Sequence, residues 1–280
     1  MRRGEKPVHI VVTEPVRVES LDLDAQGIAR LAPNEEEAAQ GQGGKVIFIQ
    51  GALPTELVTY VITRDKARFS KAKVLDILKP AVFRAEPKCK AFGVCGGCTM
   101  QHLDIRAQVA MKQRVLEDDL KHIAKVAPEE ILRPMGGPAW EYRHRARLSA
   151  VNRSIKKGTV LIGFHEGKSA YVADMTACEI LPKHVSDLLP EMRKLVMALS
   201  IVDRMPQIEL AVGEPEDPHS DDPKKSKPVT ALVFRNLLPL TADDEQLLRS
   251  FADQHQGQQQ ILDQGRHRKV KPKMQPQHLY

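Results

Sequence analysis

The sequence predicts a small β-barrel joined through a cysteine-rich loop to an α+β domain. Short strand-like runs separated by turn formers crowd the first 80 residues, helical and strand patterns mix between residues 104 and 253, and a cysteine cluster lies between the two regions. A chain of 280 residues is long enough to bury two cores of ordinary size. The expected organisation is an N-terminal arm at 1–13, the barrel at 14–80, the cysteine loop at 81–103, the α+β domain at 104–253 and a polar basic tail at 254–280.

In the barrel region the strand-like runs are Val16–Glu19, Lys45–Ile49, Leu57–Ile62 and Ala72–Leu78, punctuated by turn stretches at Gln40–Gly44 and Gln50–Pro54. Lys66, Arg68, Lys71 and Lys73 surround the last turn with Phe69 among them, which makes them candidate phosphate contacts. A solvated charged loop is the competing reading. Past the cysteines, Asp104 is placed to cap a helix running to about Lys125. Met111, Val115, Leu120 and Ile123 recur near helical spacing on a face expected to pack on the domain that carries the cysteines.

Two further strands are expected at Arg145–Asn152 and Thr159–His165, separated by the basic turn Lys156-Lys157-Gly158. Strand alternation would set Arg143, Arg145 and Arg147 on one face, about 7 Å apart along the strand. Arginine forks match phosphate oxygens, so this stripe is read as a phosphate-binding face rather than as the ordinary charged exterior of a half-buried sheet. A core-facing helix follows Pro182 from Lys183 to Leu199, Gln207–Val212 and Thr230–Phe234 read as paired strands across a flexible connection, and Ala242–His255 is a last amphipathic helix with Leu247, Leu248 and Phe251 inward. From Gln256 onward the apolar residues follow neither period, Arg266–Lys273 is strongly basic, and a disordered basic tail is expected.

Forty-two Lys and Arg against 36 Asp and Glu leave a formal charge of +6, which favours a polyanionic partner only weakly. No apolar run approaches the roughly 18 residues that a membrane span needs, and His9-Ile10-Val11-Val12 is too short for the core of a signal peptide. A soluble cytoplasmic protein is the expectation, in a compartment where thiolate ligands are more plausible than disulfides.

Cys89, Cys95 and Cys98 stand at C-x5-C-x2-C spacing, and the fourth cysteine, Cys178, lies far downstream. Four thiolates suit either a structural zinc ion or an iron–sulfur cluster. The absence of a second C-x2-C knuckle favours a cluster with three ligands from one loop and one remote ligand, and Gly96-Gly97 would let backbone amides approach its sulfides. Zinc remains an alternative, as does a redox pair at Cys95 and Cys98, although no thioredoxin-like unit surrounds it.

Several motifs in series carry a resemblance. Gly27, Ala29, Gly44-Lys45-Val46, Phe48 and Gly51-Ala52-Leu53-Pro54-x-Glu56 resemble a TRAM domain, an RNA-binding module. Cys89-x5-Cys95-Gly96-Gly97-Cys98-x2-Gln101-His102-Leu103 resembles the iron–sulfur segment of bacterial S-adenosylmethionine-dependent 23S ribosomal RNA (uracil-5-)-methyltransferases. Trp140-x-Tyr142-Arg143-x-Arg145-x-Arg147, Gly163-Phe164 and Cys178-x2-Leu181 continue the match in the family's order. TRAM-bearing radical methylthiotransferases carry C-x3-C-x2-C instead, a spacing this sequence lacks.

The resemblance implies a [4Fe-4S] cluster on Cys89, Cys95, Cys98 and Cys178, RNA and most plausibly 23S ribosomal RNA as partner, and neither DNA nor a membrane. It also implies a C-terminal Rossmann-like domain that binds S-adenosylmethionine and supplies the cysteine that attacks the uracil ring. Neither that domain, nor its cofactor site, nor a spare cysteine is found after His255. The expectation is a truncated family member: the RNA-recognition and iron–sulfur portion of the enzyme, with no catalytic residue of its own and unable to transfer methyl groups alone. The alternative is a non-enzymatic RNA-binding iron–sulfur or zinc protein.

Overall fold

The computed structural model describes residues 10–33, 39, 43–213, 229–255, 259–265 and 268–269, and the chain divides into two compact units. The first comprises Met1–Lys88 and Cys98–Gly136, the second Cys89–Gly97 and Gly137–Tyr280.

The first unit is built on a six-stranded mixed sheet: β1 (Ile10–Arg17), β2 (Ser20–Leu21), β3 (Gln26–Arg30), β4 (Val46–Gln50), β5 (Leu57–Asp65) and β6 (Phe69–Lys79), hydrogen-bonded in the order β1-β5-β6-β4-β3-β2. β4 and β6 run parallel, and the other neighbours are antiparallel. Alternation is visible in the burial: Ile47 and Ile49 are fully buried with Ala29, Val58, Tyr60 and Ala72, whereas Phe48 between them turns to the other face and is partly exposed. Glycine is needed at position 44, where a Cβ would stand 1.9 Å from the Leu31 carbonyl oxygen.

A second small core of Leu53, Ala81 and Leu103 receives Ala107 and Met111 of α1 (Ile105–Asp119), a helix capped by the Asp104 side chain, which accepts from the Arg106 N–H at 2.9 Å. The chain closes on itself just before this helix. Arg84 bridges Leu103, the Ala85 N–H donates to the His102 carbonyl at 2.9 Å, and the Asp104 N–H donates to the Phe83 carbonyl at 2.9 Å. The cysteine loop therefore springs from a hydrogen-bonded neck.

The second unit carries β7 (Arg145–Asn152), the single helical turn α2 (Ser154–Lys157), β8 (Val160–Gly163), α3 (Lys183–Ser186), α4 (Leu189–Ala198), β9 (Gln207–Gly213), β10 (Val229–Arg235), α5 (Ala242–Gln254), β11 (Gln259–Gly265) and β12 (Arg268–Lys269). Its sheet order is β12-β11-β10-β9-β7-β8, with only β10 and β11 parallel. Leu148, Ile162, Leu181, Leu189, Met192, Met205 and Phe234 are its largest fully buried side chains. α5 opens on a capping box between Thr241 and Asp244.

Several expectations differ from what is observed. β1 starts at Ile10, so residues 10–13 of the expected arm are strand, while residues 1–9 lie outside the described residues. β2 and β3 were not expected, because a run of two residues and one containing Gly27 and Ala29 carry weak strand signals. α1 belongs to the first unit, not with most of the cysteine loop, since its inward residues Ala107 and Met111 meet the Leu53 core. The helix expected over Lys183–Leu199 is two helices. Pro190, at the start of α4, has no N–H to continue the first one. Leu247 is 37% exposed, although Leu248 and Phe251 are buried as expected. Within the expected disordered tail, residues 259–265 form β11 against β10, and residues 256–258, 266–267 and 270–280 lie outside the described residues. Among the described residues no helix is long and apolar enough to cross a membrane.

Candidate functional site

The cysteine loop docks in the second unit through its backbone. The Gly96 N–H donates to the His165 carbonyl at 2.8 Å, the Gly167 N–H donates to the Val94 carbonyl at 2.9 Å, and Cys95 bridges Glu166. The Gly97 N–H points at the Cys95 sulfur, 3.4 Å away. A Cβ at Gly97 would stand 3.0 Å from the Phe164 ring and 3.4 Å from the same sulfur, and one at Gly96 would stand 3.0 Å from the His165 carbonyl oxygen. Both glycines thus permit a close approach. Cys89, Cys95 and Cys98 are partly buried and Cys178 is 5% exposed. Cys178 sits in a turn whose own N–H donates to Ser186 Oγ at 2.8 Å. Among the described residues no three His, Cys, Asp or Glu side chains stand together as a group that could hold a metal.

The turn at Cys178 is tied to the arginine segment. The Glu141 N–H donates to the Glu179 carbonyl at 3.0 Å and the Arg143 N–H to the Ile180 carbonyl at 2.8 Å. Arg143 precedes β7 and is partly buried, with its guanidinium carbon 5.4 Å from the centroid of the Phe164 ring, the ring that meets Gly97. It is therefore not part of a three-arginine stripe on one strand. Arg145 and Arg147 do lie on β7, two residues apart and exposed. Arg147 pairs in register with Glu209 of β9 and approaches it at 3.7 Å, while Arg235 of β10 donates to the same carboxylate from Nε and Nη2 at 3.2 Å. The Arg235 hydrogen bond, followed by the charges of Arg235 and Arg147, holds Glu209 below the usual carboxylate range despite some desolvation.

In the first unit the candidate cations cluster where β5 turns into β6. Arg68 and Lys73 are exposed, and Lys66 and Lys71 are partly buried. The turn is held by the Lys66 N–H, which donates to the Phe69 carbonyl at 3.0 Å, and by Asp65, which accepts from Ser70 Oγ at 2.5 Å and pairs with Lys45.

No family model matches the sequence. Relatives do. The chain is 85% identical over 256 residues, 91% of its own length, to a protein of Polynucleobacter necessarius subsp. necessarius (strain STIR1) named 23S rRNA (uracil(1939)-C(5))-methyltransferase RlmD. It is 56% identical over 243 residues to the protein of the same name in Burkholderia cenocepacia (strain HI2424). Over most of its own length the chain is thus similar to proteins of that name. It covers 54% and 48% of those two relatives, so it spans about half the length of the curated relatives it matches. A solved structure of Pyrococcus abyssi tRNA (uracil-54, C5)-methyltransferase in complex with S-adenosyl-L-homocysteine aligns with a TM-score of 0.53 at 15% identity, over 92% of this chain and 53% of that one.

The spacing of the sequence points to the cysteines, to β7 and to the basic residues between β5 and β6, but not to three residues that the structure brings beside them. Glu209, which Arg147 approaches, and Arg235, which donates to the same carboxylate, are recognisable only once β7, β9 and β10 are known to be neighbours. Phe164 was noted within Gly163-Phe164, yet nothing in its spacing announces contact with both Gly97 and Arg143.

Proposed function

We propose that this chain is the RNA-recognition and iron–sulfur portion of an S-adenosylmethionine-dependent 23S ribosomal RNA uracil-C5 methyltransferase acting in the cytoplasm. The 85% identity over 256 residues to a protein of that name carries the proposal. The first sheet acts as a TRAM-type RNA-binding module, with Lys66, Arg68, Lys71 and Lys73 on phosphates, and Arg145 and Arg147 add a second cationic face. Arg143 serves the cysteine loop through Phe164 rather than the RNA, a reading supported by its position over that ring.

A [4Fe-4S] cluster held by Cys89, Cys95, Cys98 and Cys178 matches the donor chemistry, four soft thiols with an amide directed at one sulfur and glycines where backbone approaches closely, and the reading rests on that chemistry because no three of the thiols stand together among the described residues. Such a cluster would hold the cysteine loop and supply no step of methyl transfer. All four cysteines of the sequence are then ligands, and none is left to attack C6 of a flipped uracil. Methyl transfer to C5 by this chain alone is accordingly not expected.

The test uses anaerobically purified protein, unmodified 23S ribosomal RNA and S-adenosylmethionine labelled in its methyl group, with RNA binding and visible absorption read on the same sample. Binding with cluster absorption and no label in the RNA supports the proposal. Label at uracil C5 overturns the division of roles, and one zinc per chain without visible absorption overturns the cluster.

A further inference from the structure

The outer face of the first sheet carries aromatic rings among cations. Strand register sets out three rows across it: Arg30–Val46–Phe69, Ile28–Phe48–Lys71 and Gln50–Lys73–Val61. None of these residues is acidic, and all turn away from the core face of Ala29, Ile47, Ile49 and Ala72. Phe48 and Phe69 are both partly exposed, with ring centroids 5.9 Å apart and planes 84° from parallel. An edge-to-face pair leaves a π-face of one ring directed away from its neighbour. Lys71 lies one strand from Phe48, a separation of about 4.8 Å, and Lys73 lies one row further, about 7 Å along β6. Asp65, the acid at the nearby turn, is neutralised by Lys45.

From this arrangement we infer that Phe48 and Phe69 form a stacking platform for an unpaired nucleobase of single-stranded RNA, whose flanking phosphates are held by Lys71, Lys73 and Arg30. Every base presents a π-face, so such a platform is tolerant of sequence but intolerant of pairing, because a duplex keeps its bases stacked on each other. Apolar ligands without charge would gain nothing from the cations, and a purely electrostatic RNA face would have no use for two rings on a sheet exterior. The inference rests on the RNA-recognition reading and adds to it the strandedness of the RNA bound here.

The experiment compares the full chain's affinity for a 12-nucleotide single-stranded RNA, for the same backbone with its central bases replaced by abasic sites, and for a 12-base-pair duplex. It is repeated with Phe69→Leu and Phe48→Leu, which keep apolar bulk and remove the ring. The expected result is a loss of about tenfold or more for the abasic strand, a similar loss for either variant on the intact strand, and no change of the variants on duplex or in the slope of affinity against salt. Lys71→Ala with Lys73→Ala should instead reduce that slope. Equal affinity of the wild-type chain for intact and abasic strands overturns the platform while leaving RNA recognition standing, and that arm needs no variant to fold. No binding to any of the three RNAs or to 23S ribosomal RNA overturns both readings together.

Discussion

Glu56 and Arg84 form a doubly hydrogen-bonded ion pair in the first unit, with Arg84 Nε donating to Oε1 at 2.6 Å and Nη2 to Oε2 at 2.8 Å, and the Glu56 side chain fully buried. The carboxylate also accepts from the Leu53 and Ala81 N–H groups at 2.8 and 3.1 Å, and Arg84 Nη2 donates to the Gly51 carbonyl at 2.7 Å. One carboxylate thus fastens the β4–β5 turn to the strand-end segment from which the cysteine loop departs.

Removing one partner of a buried charge pair leaves the other uncompensated. Glu56→Ala is expected to cost about 3–5 kcal/mol, and Glu56→Gln less, in denaturant unfolding followed by circular dichroism. Burial alone would raise the Glu56 pKa, but the Arg84 bond, the two amides and the Arg84 charge outweigh it and hold the carboxyl below its ordinary value of 4.5. A lowered folded-state pKa means this stabilisation is complete above about pH 4.5 and disappears as pH falls through the lower folded value. A Glu56→Gln protein with the same acid limb as wild type would refute the assignment.

His102 contributes a separate acid sensitivity. Burial, helped by the Arg84 charge and opposed by Glu56, pushes its pKa down from 6.5 to about 4. The unfolded chain therefore takes up the proton first as pH falls. Stability should decline between pH 6.5 and about 4 by up to about 3 kcal/mol, most of it above the pH at which the Glu56 limb begins. His102→Asn should flatten the slope in that window. An unaltered slope in the variant would show that another group titrates there.

Glu209 restrains two arginines on the face proposed to meet RNA. Glu209→Gln, which keeps the shape and removes the charge, should raise RNA affinity a few-fold at low salt, while Arg145→Ala and Arg147→Ala should each lower the salt slope by about 0.7–0.9. Filter-binding titrations across a salt series measure both. A Glu209→Gln protein that binds no more tightly would mean that Arg147 is not on the RNA side of the sheet.

Gly97 offers a test of the cysteine loop that spares every thiol. An added methyl would press on the Phe164 ring at 3.0 Å and the Cys95 sulfur at 3.4 Å, so Gly97→Ala should lower the iron and sulfide bound per chain after anaerobic purification. Full iron content in Gly97→Ala would show that the proposed cluster does not depend on this close approach.

Much of the architecture was legible because burial leaves a mark at fixed spacing. β5, β6, β7, β9 and β10 and the helices capped by Asp104 and Thr241 follow from alternation, helical period and capping residues. The short β2 and β3 were hidden, since their pairing rather than their residue types defines them. The break in the helix after Pro182 was hidden less well, because Pro190 stood in plain view. At the site, the individual cysteines and arginines were evident from type and spacing. Their surroundings were not, since Arg143 over Phe164 and Arg147 beside Glu209 are long-range relationships that no local pattern encodes.

Cys89–Gly97 belongs to the second unit while the chain on either side of it belongs to the first, so the ribosome delivers the loop before most of the unit that receives it. The residues that receive this loop, Phe164 to Gly167, leave the ribosome long after it, and Cys178 follows Cys98 by 80 positions. At about 5–20 residues per second the nascent chain carries three thiols for roughly 4–16 s before the fourth is made. During that interval they are open to oxidation and to stray metals, and no single cut in the polypeptide would give two fragments that each hold a whole unit.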